Sequence, residues 1–225
     1  MAEQSYAGRM VLIFGAAGAL GSGVTAAFAA AGAAVTGVDK VEPPAERQVD
    51  GVRYTSADVL RDEAVRALFD ATPAPWAVIN TVGGFAPYRP LAELDQAELL
   101  GQLELNLVSA AMITKHALRV MQPAGTGRIV HTASRAGVVT KGSGLAYSVS
   151  KLGVLRLVSM AADEVRGSGV TVNCVVPSII DTPVNRAAMP TANHDAWPKA
   201  ADIARTYLFL AAPESGLING AAIPV

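Results

Sequence analysis

Two side chains with complementary acid–base chemistry, Tyr147 and Lys151, lie four residues apart in a segment with helical periodicity. At this spacing they would share one face of the helix, one turn apart. A tyrosine phenol ordinarily has a pKa of about 10, and a neighbouring ammonium favours its ionised form. The pair therefore predicts that Tyr147 donates or accepts a proton in a reaction. The alternative is a chance pair, because the same spacing occurs on many solvated helices.

Two polar residues earlier in the chain could complete such a site. Ser134 follows an apolar run at the edge where open α/β sheets bind ligands, and its hydroxyl could hold a substrate oxygen. Asn106 lies in a long apolar segment, where a buried amide needs a partner, and it could anchor a water that links Lys151 to solvent. The alternatives are a loop serine that makes a local turn bond and an asparagine that kinks its helix.

A glycine-rich turn near the start of the chain could hold a nucleotide. Gly15-Ala16-Ala17-Gly18-Ala19-Leu20-Gly21 joins an apolar run to a helical pattern, so its backbone amides would face a pyrophosphate at the positive end of the helix dipole. Asp39 ends the next run, where a carboxylate can accept hydrogen bonds from an adenosine ribose and would repel a phosphate on it. We expect NAD(H) in preference to NADP(H), although Lys40 could tolerate that phosphate. The alternatives are a tight packing corner and an ordinary turn aspartate.

Strand and helix patterns alternate along the whole chain and would position these residues. This alternation predicts a doubly wound parallel sheet with helices on both faces, a Rossmann fold, in a single α/β domain over residues 1–225. The predicted strands are Met10–Phe14, Ala34–Val38, Val52–Ala57, Ala77–Thr81, Arg128–Thr132, Val170–Val176 and Ala221–Val225. The predicted helices are Leu20–Ala31, Leu60–Ala71, Leu99–Met121, Leu145–Arg166 and Ala200–Ala211.

Composition argues against several classes of partner. Eighteen Lys and Arg against nineteen Asp and Glu leave no basic block for nucleic acid. The apolar stretch 10–34 is interrupted by glycines, and no basic run of a signal peptide precedes it, so we expect no membrane partner. The single cysteine, Cys174, cannot form an intramolecular disulfide. These features predict a cytoplasmic protein that acts on a small molecule.

The histidines do not suggest a metal site or a serine hydrolase. His131 lies in an apolar strand pattern and is expected to be a core histidine, whereas His194 is expected at the surface. Their spacing relative to Cys174 does not match that of zinc ligands, so no metal is predicted. Ser134 is not in a G-x-S-x-G turn, which argues against hydrolysis by a nucleophilic serine.

The order of these motifs resembles the short-chain dehydrogenase/reductase family over essentially the whole chain. The resemblance implies hydride transfer between NAD(P)(H) and a small carbonyl or alcohol, or a pterin-like substrate, with Tyr147 as the proton donor or acceptor. It also implies a catalytic tetrad of Asn106, Ser134, Tyr147 and Lys151. Other segments resemble the family's cofactor contacts: the glycine turn, Asp58-Val59, Asn80-Thr81-Val82-Gly83, Pro177 and Thr182.

The chain departs from the family pattern without losing a reacting group. Phe14 replaces a usual threonine, Ala19 a usual glycine, and Ser178 the glycine that commonly follows Pro177. Asn80–Phe85, with its Gly83-Gly84 pair, and the sequence Asp181-Thr182-Pro183-Val184-Asn185-Arg186, followed by Met189-Pro190 and Trp197, resemble the dihydropteridine reductase branch, which is an alternative function. Ser134 argues against that branch, because a pterin needs no hydroxyl to hold an oxyanion.

Two segments rich in Gly or Pro are expected to cover the site: the first cover, residues 83–94, and the second cover, residues 178–198. Phe85, Tyr88, Met189 and Trp197 would contact substrate or pack the covers onto the body. The two longest predicted helices are too apolar for full exposure, and the resemblance implies that they form a homodimer or homotetramer. A non-catalytic NAD(P)-binding sensor or scaffold is a second alternative function.

Overall fold

The chain forms one parallel sheet of seven strands in the computed structural model, which describes residues 6–86, 88–139 and 144–225. The strand order is β3-β2-β1-β4-β5-β6-β7, so the predicted doubly wound sheet is confirmed. The chain order reverses between β1 and β4, and ligands of open α/β sheets bind at such a point. The strands are β1 (Met10–Phe14), β2 (Ala34–Asp39), β3 (Arg53–Ser56), β4 (Ala77–Asn80), β5 (Gly127–Thr132), β6 (Val170–Val176) and β7 (Ala222–Pro224).

Helices cover both faces of the sheet because alternate strand residues enter two separate apolar clusters. In β1, Leu12 and Phe14 face one cluster, whereas Val11 and Ile13 face the other. The first cluster lies under α2, α4 and α5, and the second lies under α1 and α7. The helices are α1 (Ala19–Ala30), α2 (Asp62–Asp70), α3 (Gln96–Gln102), α4 (Ser109–Ala124), α5 (Leu145–Glu164), α6 (Pro183–Ala188) and α7 (Ala200–Ala211).

The predicted helix Leu99–Met121 is wrong in one respect, because it is not a single regular helix. A π-helical segment, Leu103–Val108, separates α3 from α4. Asn106 lies in this segment and is buried. π-helical turns often occur at functional sites, and this one turns the Asn106 amide towards the first cover.

The second cover contains more regular structure than its loop-like sequence indicates. Helix α6 begins after Thr182, whose hydroxyl accepts a hydrogen bond from Asn185 N at 3.2 Å, and it carries a proline in its first turn. A short 3-10 turn, His194–Ala196, follows. In the first cover, Pro87 lies outside the described residues.

The apolar helix α5 is long enough to cross a membrane by length and composition alone. Its buried residues, which include Val154 and Val158, instead belong to the cluster on one face of the sheet. The catalytic pair predicted from the sequence is therefore carried by a core helix.

At the amino end of the sheet, Trp76 lies close to two cations. The guanidinium carbons of Arg9 and Arg128 lie 3.9 and 4.8 Å from the centroid of the indole ring. The Trp76 Nε1–H donates to Ala211 O at 2.9 Å. These contacts join β4, β5 and α7 at the end of the sheet opposite the predicted site.

Candidate active site

The glycine turn after β1 has a shape that only glycine permits at two positions. Gly15 has φ +82°, and a Cβ there would lie 2.8 Å from Val82 N. A Cβ at Gly21 would lie 2.0 Å from Gly15 O. Helix α1 begins at Ala19 with Gly18 as N-cap and no side-chain cap, so the amides of its first turn are available to an anion. The turn fits the pyrophosphate of a dinucleotide.

Asp39 is tied to this turn at the end of β2. Its Oδ2 accepts from Ala17 N at 2.9 Å, and its Oδ1 accepts from Lys40 N at 2.7 Å. The ammonium of Lys40 instead forms an ion pair with Asp58 at 3.2 Å. The pKa of Asp58 is lowered, first by the backbone hydrogen bond from Leu60 and then by Lys40. The cation that could tolerate a ribose phosphate is thus already paired with a carboxylate.

One cation beside the glycine turn was not anticipated from the sequence. Arg47 Nη1 donates to Ala17 O at 3.0 Å from the 3-10 turn Ala45–Arg47. No sequence signal marks it, because the contact joins a loop to a turn thirty residues earlier. It stabilises the glycine turn from its solvent side.

A buried chain of hydrogen bonds fixes the backbone after β4. Asn80 Oδ1 accepts from Val82 N at 3.0 Å, so its amide nitrogen faces His131 Nδ1 at 3.1 Å. His131 Nδ1 must then accept, and its Nε2 carries the proton towards Thr114 Oγ1 at 2.8 Å. Thr114 donates to Ala110 O at 2.7 Å. The predicted core histidine therefore has both ring nitrogens bonded.

His131 is neutral within these hydrogen bonds. Burial, and to a smaller extent the charge of Lys151, lowers its pKa to about 4. We call Asn80, Thr114, His131 and Thr132 the strand-end network, because Thr132 Oγ1 also donates to Asn80 O at 2.7 Å. It sets the position of the segment Asn80–Gly83.

Asn106 fixes the beginning of the first cover. Its Oδ1 accepts from Gly84 N at 3.1 Å, and its Nδ2 donates to Gly84 O at 3.1 Å and to Ser150 Oγ at 3.1 Å. A Cβ on Gly83 would lie 2.7 Å from Asn106 Oδ1 and 2.9 Å from Lys151 Nζ. Asn106 thus lies in a π-helical segment, and Gly83 separates it from Lys151.

Ser134, Tyr147 and Lys151 meet at the carboxyl end of β5. Lys151 Nζ donates to Thr132 O at 3.0 Å and lies 6.0 Å from the centroid of the Tyr147 ring. Burial lowers the Lys151 pKa to about 8. Burial also raises the pKa of Tyr147, against the lowering effect of its hydrogen bond with Ser134. The phenol is therefore protonated at neutral pH, because burial outweighs the effect of this hydrogen bond.

These side chains line one cavity of about 180 Å³ at the carboxyl ends of β4, β5 and β6. Of the four predicted substrate contacts, Phe85 lines it, whereas Tyr88, Met189 and Trp197 do not. Thr132, Ala133, Ser178 and Ile180 line it without having been singled out as site residues. The lining residues are Leu20, Thr81, Gly83, Gly84, Phe85, Thr132, Ala133, Ser134, Tyr147, Lys151, Pro177, Ser178 and Ile180.

Comparison with known proteins assigns the family. A family model described as Enoyl-(Acyl carrier protein) reductase matches residues 15–225. The chain belongs to the short-chain dehydrogenase/reductase family. The family binds NAD(P), and the chain is an NAD(P)-dependent oxidoreductase that acts on alcohol or carbonyl groups.

Relatives in this family resemble the chain along nearly all of its length. The cis-4-hydroxycyclohexanecarboxylate dehydrogenase of Sinomonas cyclohexanicum is 31% identical over 99% of this chain and 96% of the relative. The D-threitol dehydrogenase of Mycolicibacterium smegmatis is 30% identical over 97% and 91%. A short-chain type dehydrogenase/reductase from Mycobacterium ulcerans superposes with a TM-score of 0.89 at 26% identity, covering 98% of this chain and 89% of that one.

The second cover of this short-chain dehydrogenase makes mostly local contacts. Arg186 donates two hydrogen bonds to Asp181, at 2.6 and 3.0 Å, and these lower the Asp181 pKa. His194 is half-buried rather than exposed as expected, because its Nε2 lies 2.8 Å from Met189 O. Its ring also lies 4.6 Å from that of Trp197. The cover is thus held together chiefly by its own residues.

Proposed function

We propose that this chain reduces a small ketone, or oxidises the corresponding alcohol, with NAD(H) as cofactor and Tyr147 as proton donor. The observation that supports this most directly is the shared cavity of Ser134, Tyr147 and Lys151, which Leu20 of the glycine turn also lines.

The side chains divide the chemistry of ketone reduction between them. The bound cofactor supplies the hydride that reaches the carbonyl carbon. Ser134 holds the carbonyl oxygen, and Tyr147 gives its phenolic proton to that oxygen, which completes the alcohol. Lys151 stabilises the phenolate that remains, since its ammonium keeps most of its charge at neutral pH with a pKa of about 8. Asn106 positions the backbone of Gly83 and Gly84 against Lys151.

The cofactor contacts follow the same geometry. The amides of α1 and the Gly15 turn would hold the pyrophosphate, Asp39 the adenosine ribose, and Asp58 and Val59 the adenine. Val82 and Gly83 would line the cofactor's path, and Pro177 and Thr182 would contact the nicotinamide amide. Pro177 lines the cavity, whereas Thr182 caps α6 in this structure.

The preference for NAD(H) rests on Asp39. The Asp39 carboxylate would repel a ribose phosphate, since the Lys40 ammonium is paired with Asp58 and the Arg47 guanidinium donates to Ala17 O. We expect kcat/KM with NADH to exceed that with NADPH by about tenfold or more, and Asp39→Ser to reduce this ratio. Asp50→Ser, which removes an exposed carboxylate before the start of β3, is the control. A wild-type preference for NADPH would contradict the assignment.

A second candidate substrate is a quinonoid dihydropterin. The motif Asp181–Arg186 and Trp197 in the second cover support it, and Ser134 in hydrogen-bond contact with Tyr147 argues for a carbonyl instead. NADH oxidation in the presence of dihydropterin and of a panel of ketones and aldehydes distinguishes the two. Turnover of dihydropterin alone would make Ser134 dispensable, and Ser134→Ala would then leave the rate unchanged.

We further propose that α4 and α5 form the contact of a homodimer or homotetramer, in a protein that stays in the cytoplasm. Leu152 and Met160 support the contact, because they are 54% and 60% exposed on α5. Light scattering should give a mass of two or four chains, and Met160→Glu should lower it. A monomeric wild type would overturn this assembly.

A further inference from the structure

The cavity offers a substrate almost no charge. Among the described residues that line it, Lys151 is the one cation, and it is only 4% exposed. Its ammonium already donates to Thr132 O at 3.0 Å. A substrate carboxylate entering the cavity would therefore lose its water without gaining a guanidinium or an accessible ammonium.

The arginines of the two covers do not offer a substrate carboxylate a partner either. Arg186 is bound by both oxygens of Asp181, and Arg89 donates to Glu98 Oε2 at 3.1 Å. Arg135, which lies outside both covers, is exposed and is not part of the cavity lining. Within the described part of the covers, each guanidinium thus has a carboxylate of this chain as its partner.

An aromatic side chain at the cavity presents a free surface. The ring of Phe85 meets that of Tyr147 edge to face, with centroids 5.3 Å apart and an angle of 73° between the planes. Phe85 nevertheless remains 63% exposed. Leu20 and Ile180 add further apolar lining. Covering such a surface with an apolar substrate is favourable, because it removes hydrocarbon from water on both sides.

We propose that the site selects an uncharged, apolar ketone or secondary alcohol that packs against Phe85, and that it discriminates against substrates carrying a carboxylate. This inference rests on the proposed function and specifies the substrate class of the same site. Phe85 acts in it as a specificity-determining residue, next to the tyrosine that supplies the proton.

A pair of ketones of similar shape tests the charge preference. The probes are 4-methylcyclohexanone and 4-oxocyclohexanecarboxylate, each measured by NADH oxidation with the full-length enzyme. We expect kcat/KM for the methyl ketone to exceed that for the carboxylate by about tenfold or more, and the ratio to persist in high salt. An equal or higher value for the carboxylate would overturn the inference.

Phe85→Ala tests the apolar contact, with Phe209→Ala as its control. Phe209 is similarly exposed, at 55%, but lies on α7 away from the cavity. We expect Phe85→Ala to lower kcat/KM for the methyl ketone by about tenfold, mainly through KM, while Phe209→Ala leaves it unchanged. An unchanged KM in Phe85→Ala would refute the packing role.

Different results would contradict the proposed function and the substrate preference. If the enzyme binds NADH but turns over no ketone and oxidises no alcohol, the proposed function is wrong, and the inference falls with it. If it reduces the carboxylate as well as the methyl ketone, the proposed function stands and the inference alone is wrong.

Discussion

The strand-end network and the second cover hold their polar side chains in different ways. His131 in the network is fully buried and joins β4, β5 and α4 through both ring nitrogens. His194 in the cover is half-buried and bonds a carbonyl five residues away, at Met189. The first histidine connects distant parts of the chain, whereas the second stabilises a local turn. The strand ends beneath the cavity and the second cover are therefore stabilised separately.

The largest effect should come from the Tyr147 hydroxyl. Tyr147 lies next to Lys151, which donates to Thr132 O of the strand-end network. Tyr147→Phe should lower kcat by about 10²- to 10⁴-fold, because it removes the proton donor and little else. NADH affinity, measured by fluorescence titration, should stay nearly unchanged. Tyr88→Phe removes a hydroxyl from an exposed cover residue and should keep full activity. Equal losses of turnover and of NADH affinity in Tyr147→Phe would contradict its role as proton donor.

The two histidines allow a direct test of the difference between the regions. His131→Leu should lower the free energy of unfolding by about 2–3 kcal/mol, because the buried amide of Asn80 loses its acceptor. NADH affinity should fall too, since Asn80 positions Val82. His194→Leu should cost less than about 1 kcal/mol in the same denaturant titration. Similar costs for the two substitutions would show that the cover is as tightly built as the network.

The buried charge of Lys151, which the proposed reaction needs, should lower the stability of the fold. Burial lowers its pKa from the ordinary 10.5 to about 8, so the folded chain releases this proton more readily than the unfolded chain. Its charge therefore destabilises the fold below pH 8, and the penalty disappears as the pH rises towards 10.5. Lys151→Met should raise the free energy of unfolding by about 1–3 kcal/mol at pH 7 and abolish turnover.

The pH dependence provides the control for Lys151. The stability difference between wild type and Lys151→Met should shrink as denaturant titrations move from pH 7 to pH 10. A gain in stability that does not depend on pH would mean that packing, and not the buried charge, causes it.

The smallest effect on the fold is expected from the ion pair of the second cover. Arg186→Ala should leave the thermal unfolding midpoint almost unchanged, because the pair is exposed and screened by solvent. It should change KM for the substrate more than kcat if the pair orders the cover over the cavity. A large fall in the unfolding midpoint would place this pair among the contacts that stabilise the whole domain.

The predicted reacting residues beside the strand-end network could be found from the sequence, because they lie at a strand end and at fixed helical spacing. Tyr147, Lys151 and Ser134 were found in this way, and all three line one cavity. The contact of Thr132 O with Lys151 gives no sequence signal, since any residue could supply that carbonyl.

The helix break and the cover contacts could not be predicted, for related physical reasons. The apolar pattern from Leu99 to Met121 runs on through the π-helical segment, and the break depends on where the Asn106 amide finds partners after folding. The ion pair between Asp181 and Arg186 depends likewise on the path of α6. Local sequence patterns do not encode contacts of this kind.

The chain has two tryptophans, which lie at opposite ends of the sheet, so their fluorescence reports on different parts of the molecule. Trp76 lies against the guanidinium groups of Arg9 and Arg128 at one end, and Trp197 lies in the second cover at the other. Emission from Trp76 should change only when the sheet unfolds, whereas emission from Trp197 should respond to any movement of the cover. A Trp76→Phe variant would leave Trp197 as the reporter of cover movement, and a Trp197→Phe variant would leave Trp76 as the reporter of sheet unfolding. Ligand-induced motion and global unfolding could then be timed separately in stopped-flow experiments without an attached dye.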